Sequence, residues 1–262
     1  MHLDLAGKRI LVTGASKGIG LAVVRAFLDE GAVVTAVSRR STPELDATAA
    51  TFVPADLADP DGPRRMVEAV LAADPRLDIL INNVGGGNTT AEAIADPLDG
   101  DDDLWNEAYA LNLFATVRTI RHALPALTRS RGAIVNISSS SARAPFGTPL
   151  AYTSAKGALT TFSRGLAEKV AADGVRVNVV TPGTTHTALT ASKDGYLATV
   201  AKAMGIDHAD LLAAMPASGG MLTGALIDPA EIARAVLLLA SPVMPSTIGE
   251  TWAVDAGSVK AV

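Results

Sequence analysis

The sequence predicts an α/β fold of the doubly wound kind, a central parallel sheet of about seven strands with helices on both faces. Three observations carry this. Short runs rich in Val, Ile and Leu recur along the chain, as strands buried on both faces do. Segments with apolar residues at helical spacing lie between them. The first run closes on a glycine turn that opens into a helical pattern, and a second apolar run follows, which is the layout of a βαβ unit.

RILVT (9–13) is the first strand, and Ile19, Val23, Ala26 and Phe27 follow on one helical face until Gly31 stops it. AVVTAVS (32–38) is the second strand. Further strands are expected at 51–55, 77–81, 133–137, 175–180 and 251–254, with helices over 104–124, 152–172 and 230–240. The region 183–228 breaks the alternation. It has no strand pattern but contains Met204, Met215, Met221 and several glycines. It begins beyond the carboxyl end of a strand, where open parallel sheets bind ligands, so 187–222 reads as a substrate lid; a structural excursion or an oligomer contact is the alternative. Met204, Met215, Met221, Leu211, Leu212 and Leu222 suggest an apolar lining for such a lid, or packing against the protein or a neighbouring subunit.

No linker, shift in charge or repeat divides the 262 residues, so one domain over 1–262 is expected. A net charge of -5 argues against a nucleic-acid surface. With no cysteine there is no disulfide and no thiolate nucleophile or ligand, and His2, His122, His186 and His208 form no metal-binding pattern. The first residues lack a signal-peptide arrangement and no apolar run approaches a membrane span, so a cytoplasmic protein is expected. A mean hydropathy of +0.29 points to a large core and to buried subunit faces. Leu159, Phe162, Leu166 and residues 236–239 are candidates for either. The acidic run at 99–103 reads as a loop entering a helix N-terminus, where negative charge is favourable.

TGASKGIG (13–20) joins the first strand to the first helix. Glycines at 14, 18 and 20 allow a tight turn and close backbone approach, and free N–H groups at the helix start attract phosphate. A dinucleotide is the expected ligand, although the spacing is not GxGxxG. At the end of the second strand stand Ser38, Arg39 and Arg40, with no carboxylate to repel a 2′-phosphate. Arg39 with Lys17 could bind one, which favours NADP(H) and leaves NAD(H) as the alternative; two exposed arginines and a solvated lysine with no phosphate to bind are the lesser reading. In YTSAK, Tyr152 and Lys156 lie four apart on one helical face. An ammonium beside a phenol should lower a tyrosine pKa that is ordinarily ~10, which suits reversible proton exchange with an alcohol. By spacing alone the pair reads more readily as an ordinary surface pair.

TGASKGIG, NNVG (82–85), Asn112, NISS (136–139), YTSAK and PGTTHT (182–187) occur in the order found in the short-chain dehydrogenase/reductase family, and the resemblance covers almost the whole chain. It implies a Rossmann-type domain, a homotetramer or homodimer, and hydride transfer between a nicotinamide and a ketone or secondary alcohol. It implies an active tetrad of Asn112, Ser139, Tyr152 and Lys156, with tyrosine as proton donor and acceptor, serine holding the substrate oxygen, lysine binding ribose and lowering the tyrosine pKa, and asparagine holding a water. Cofactor contacts are implied at Gly14, Ser16, Lys17, Gly18, Ile19 and Gly20, at Ser38 and Arg39, and at Asp56 and Leu57 beside the adenine. Others are implied at Asn83 and Gly85 near the ribose, at Tyr152 and Lys156, and at Pro182, Gly183, Thr185 and Thr187 near the nicotinamide.

Valine in NNVG, the glycines continuing to Gly87, and Ala256 in VDAG depart from the commoner pattern without touching the tetrad. An enoyl reductase would need a wider tyrosine-to-lysine spacing. A cofactor-binding redox sensor without turnover is the rival from another class.

Overall fold

The computed structural model describes residues 2–86, 98, 101–145 and 148–260. Its seven strands are β1 (Arg9–Thr13), β2 (Val33–Ser38), β3 (Thr51–Pro54), β4 (Ile79–Asn82), β5 (Ala133–Ile137), β6 (Arg176–Pro182) and β7 (Thr251–Val254). They form one parallel sheet in the order β3-β2-β1-β4-β5-β6-β7. The seven expected strands are all present, with boundaries moved by two residues at most.

Successive side chains on a strand point to opposite faces, and here both faces are dry. Ile10, Val12, Val34, Ala36, Ile79, Ile81, Val135 and Val180 enter one core, packed under α1 (Gly18–Asp29) and α10 (Pro229–Ala240). Leu11, Val37, Leu80, Ile134 and Val177 enter the other, under α3 (Gly62–Ala73), α5 (Ala115–Ser130) and α6 (Leu150–Val170). This is why the strands read as unbroken apolar runs rather than as alternating ones. Leu159, Leu166, Val236, Leu237 and Leu239 are buried within the chain, so they are core and not free subunit faces. Phe162 packs partly buried against the second core.

The helix expected over 104–124 begins two residues earlier and continues to Ser130, but its turns are not uniform. An α-helical start, α4 (Asp102–Tyr109), runs into a π-helical turn at Ala110–Phe114 and then into α5. Asp101 caps α4 by accepting from Leu104 N–H at 3.0 Å, as the acidic run led us to expect; Asp99 and Gly100 lie outside the described residues. Helix α6 starts two residues before Tyr152 and ends in a 3-10 turn closed by Gly174.

After β3 the chain crosses to the far side of β1 to make β4, so the carboxyl ends of β1 and β4 flank the point where the winding reverses. Loops from neighbouring strand ends diverge at such a point and leave a crevice. The segment after β6 arches over this end as α7 (Ala188–Ala191), α8 (Tyr196–Met204) and α9 (His208–Ser218). Its two feet are tied by a parallel bridge between Thr185 and Ile227.

Deep in the sheet, Asn82 Nδ2 donates to Asn136 Oδ1 at 2.8 Å, and Asn136 Nδ2 donates to Ser163 Oγ at 2.8 Å. This chain of amides joins β4, β5 and α6 directly beneath the strand ends. Asn136→Ala removes both bonds and leaves a buried amide donor on Asn82, so it should lower stability by about 1–3 kcal/mol in chemical denaturation. A change within experimental error would show that the buried amides find other partners.

Candidate active site

The glycines of the loop after β1 are dictated by contacts. Gly14 has φ +64°, and a Cβ there would lie 2.9 Å from both Asn83 Nδ2 and Val84 Cα. A Cβ on Gly20 would sit 2.1 Å from the Gly14 carbonyl oxygen. Gly18, at φ +56°, faces Thr187, whose methyl would be 3.2 Å from an added Cβ. The loop is therefore folded tightly between the ends of β4 and β6. At its exit, Lys17 precedes α1 with extended backbone, and no side chain caps the helix, which leaves the N-terminal N–H groups to an anionic group. This Gly-rich cradle and uncapped helix start fit a dinucleotide pyrophosphate.

Asn83 and Thr13 hold the cradle's shape. Asn83 Nδ2 donates to the carbonyls of Thr13 and Gly14 at 3.1 and 3.0 Å, while Thr13 Oγ1 accepts from the N–H groups of Asn83 and Val84 at 3.0 and 3.2 Å. The Asn83 side chain is thus engaged with the loop backbone, where it fixes the floor of the cradle. Thr13, buried completely, was not singled out from sequence, although it opens the TGASKGIG string. Thr42, which caps the short helix α2 (Pro43–Asp46), likewise escaped notice. Its hydroxyl donates to the Ser16 carbonyl at 2.8 Å and ties the segment after β2 to the loop.

Arg39 and Lys17 are both exposed, at the ends of the paired strands β2 and β1. The Ser38 hydroxyl donates to the Arg40 carbonyl at 2.7 Å and turns the chain there. Asp56 is exposed beyond β3, whereas the Leu57 side chain is buried in the second core, so only its backbone can face an adenine. Pro182 and Thr185 are buried; the Thr185 hydroxyl donates to the Gly183 carbonyl at 2.9 Å and shapes the turn after β6. Ile19 lies in the first turn of α1.

The four tetrad residues converge from three elements. The π-helical turn carries Asn112, whose Nδ2 donates to the Gly86 and Ala108 carbonyls at 2.7 and 2.9 Å, while its Oδ1 accepts from Gly86 N–H at 3.0 Å. A Cβ on Gly85 would lie 2.8 Å from Lys156 Nζ and 3.0 Å from Asn112 Oδ1, so this glycine is what lets lysine and asparagine approach one loop together. Gly87 lies outside the described residues. Lys156 Nζ donates to the Ile137 carbonyl at 2.9 Å and stands 5.9 Å from the centre of the Tyr152 ring. Ser139, just past β5, shares a hydrogen bond between side chains with Tyr152. Its Oγ also lies 2.9 Å from Ser141 Oγ. Ser138 braces this corner by donating to the Lys156 carbonyl at 2.9 Å.

The electrostatics differ from the expectation of a lowered tyrosine pKa. Burial raises the Tyr152 pKa above its ordinary value; the Ser139 hydrogen bond opposes this, and the nearby Tyr196 phenol adds to it. Lysine does not reverse the shift because burial also acts on the lysine, lowering its pKa to about 8. His186, exposed, takes no part in the cluster. Among the described residues no group of side chains could hold a metal ion.

The sequence profile of the short chain dehydrogenases matches residues 8–196. The chain belongs to this family. It is 34% identical over 246 residues to the L-fucose dehydrogenase of Mus musculus, covering 90% of this chain and 83% of that protein. It is 32% identical over 261 residues to the 2,3-dihydro-2,3-dihydroxybenzoate dehydrogenase of Escherichia coli, covering 98% of each. The L-sorbose reductase of Gluconobacter frateurii, solved with NADPH and L-sorbose, superposes with a TM-score of 0.89 at 28% identity over 100% of both chains. Membership makes the chain an oxidoreductase acting on CH–OH and C=O groups with a nicotinamide dinucleotide. Among the described residues no helix is long and apolar enough to cross a membrane.

The buried lysine gives the family member a measurable signature. Between about pH 8 and 10.5 the unfolded lysine keeps a proton that the folded one has released, so the unfolded chain binds more protons and stability rises with pH. Chemical denaturation of the cofactor-free protein should show a gain of about 2 kcal/mol between roughly pH 7.5 and 9.5, and Lys156→Met should flatten it. An identical slope in the variant would assign the effect to other groups.

Proposed function

We propose that this short-chain dehydrogenase/reductase is an NADP(H)-dependent carbonyl reductase, equivalently an alcohol dehydrogenase, for a ketone or secondary alcohol, with Tyr152 as general acid and base. The observation that supports it most directly is the convergence of Ser139, Tyr152, Lys156 and Asn112 beside the cradle after β1. The bound nicotinamide supplies the hydride in reduction and takes it up in oxidation. Tyr152 donates its phenolic proton to the carbonyl oxygen as that oxygen gains charge, and recovers a proton from the alcohol in the reverse direction. Ser139 directs a second hydroxyl at the same oxygen and fixes its position. Lys156, placed between Ile137 and Gly85, presents an ammonium to ribose hydroxyls and to the tyrosine ring. Asn112 holds the Gly86 backbone, and the family resemblance gives it the further role of retaining a water beside the lysine.

The high tyrosine pKa favours a protonated donor at neutral pH, which suits the reductive direction. Tyr152→Phe keeps the ring and removes the proton. It should retain NADPH affinity within about twofold while kcat falls at least a hundredfold, as read by titration and by NADPH oxidation. A kcat near that of the parent would remove the tyrosine from the chemistry.

NADP preference rests on Arg39 and Lys17, exposed at adjacent strand ends with no carboxylate in the Ser38–Arg39–Arg40 turn, and accords with the NADPH bound in the L-sorbose reductase. Arg39→Ala should weaken NADPH about ten- to a hundredfold and leave NADH nearly unchanged. Equal loss for both cofactors would deny the arginine a phosphate-specific role.

The segment 187–222 is proposed as the substrate lid of a single domain spanning the chain. Its apolar residues are divided between core and surface. Met221 belongs to the first core, and Met204 and Leu222 are 60% and 78% exposed. A homotetramer or homodimer is proposed from family membership, through surface other than the buried residues of α6 and α10.

A further inference from the structure

The turn after β5 holds a second, buried hydroxyl behind Ser139. Ser139 leaves the strand with extended backbone and caps the 3-10 turn Ser140–Ala142. The turn is held by its own backbone: Ala142 N–H donates to the Ser139 carbonyl at 3.1 Å, and the N–H groups of Arg143 and Ala144 each donate to the Ser140 carbonyl at 3.0 Å. Below it, Ser138 N–H donates to the Val180 carbonyl of β6 at 2.8 Å, and the Ser138 hydroxyl donates to the Lys156 carbonyl of α6 at 2.9 Å. This frame folds Ser141 back onto Ser139. Ser141 N–H donates to Ser139 Oγ at 3.2 Å, and the two hydroxyl oxygens lie 2.9 Å apart. Ser141 is 7% exposed, whereas Ser139 is only half-buried at the carboxyl end of β5.

Burial decides which of the two oxygens donates. A hydroxyl has one proton and two lone pairs. If Ser139 donated to Ser141, the Ser141 proton would be left in a buried place without an acceptor, because among the described residues its hydroxyl has no partner besides Ser139. If Ser141 donates, its proton is satisfied, and the Ser139 proton, on the more exposed of the two residues, can turn to water or substrate. The second arrangement is the favoured one. We propose that Ser141 is a positioning residue for the reaction: its N–H and its hydroxyl occupy both lone pairs of Ser139 Oγ and so direct the single Ser139 proton outward, to the reacting oxygen. The inference rests on the carbonyl reductase reading, which makes Ser139 the group that holds that oxygen. Ser139 is then a fixed donor. The bonds it accepts polarise its O–H, so it binds an oxygen that gains charge more strongly than a neutral carbonyl. With both lone pairs filled it cannot accept from Tyr152, and the phenolic proton is kept for substrate.

The test compares wild type with Ser141→Ala, Ser139→Ala and the double variant, reading NADPH oxidation with butanone, cyclohexanone, acetoin and dihydroxyacetone and cofactor affinity by NADPH titration. On any of these ketones that wild type reduces, Ser141→Ala should lower kcat about five- to thirtyfold while KM and NADPH affinity stay within about twofold. In the Ser139→Ala background the same substitution should change kcat by no more than about twofold, because Ser141 acts through Ser139. A merely structural role would cost as much in one background as in the other. No loss in Ser141→Ala, or the same loss with and without Ser139, overturns the role of Ser141 and leaves the reductase reading intact. Wild type that binds NADPH but reduces none of the four ketones, or Ser139→Ala as fast as wild type, overturns that reading and the inference with it.

Discussion

The close approach of the β1 and β4 ends is the constraint on which the site depends. Thr13 and Gly14 on one side and Asn83 and Val84 on the other exchange four hydrogen bonds, all between about 3.0 and 3.2 Å, in a space that admits no side chain at Gly14 or Gly20. Two diverging loops would otherwise separate at the point where the winding reverses. Because the polar groups of the floor are satisfied among themselves, the N–H groups at the start of α1 stay free for an anion. The glycines are thus required by packing as well as by a ligand.

The same closeness sets the chemistry of α6. Lys156 is only 3% exposed, and an ammonium so placed is costly unless something compensates for lost water. Here the Ile137 carbonyl accepts one of its hydrogen bonds, and Asn112 reaches the same bare backbone at Gly85. The compensation is partial, as the lowered lysine pKa shows. The lysine therefore favours any negative or hydroxyl-rich group that enters beside it, and its burial couples that affinity to folding.

Much of this was legible in the chain. Dry faces on both sides of the central strands β1, β4, β5 and β6 make them apolar, so the sheet could be found by composition and by the helices between strands, and β5 was placed to the residue. Helical spacing alone gave only the Tyr152–Lys156 pair, and the rest of the tetrad was implied by the family resemblance of the strand-end motifs. What was not legible depends on contacts between distant segments. The π-helical turn under Asn112 leaves no mark in the hydrophobic pattern, Thr13 and Thr42 act through partners remote in sequence, and the direction of the Tyr152 shift depends on how deeply two charges are buried. Side-chain depth also decides between the two readings of Met221, which packs in the first core.

The raised tyrosine pKa reframes what the lysine does. If the ammonium served mainly to form phenolate, the phenol would need to be the less buried partner, since its own desolvation otherwise outweighs a charge across the ring face. Here burial acts on both, pushing the phenol up and the ammonium down, so each is shifted toward its neutral form. Whatever lowers the cost of charge at this spot acts on both groups together, and the groups best placed to do so are the hydroxyl-bearing neighbours, Ser139 first, whose bond to Tyr152 is the one influence that lowers its pKa. In the reaction proposed above, the serine has two functions that cannot be separated by position alone: it fixes the substrate oxygen, and its hydrogen bond stabilises the phenolate left after proton donation.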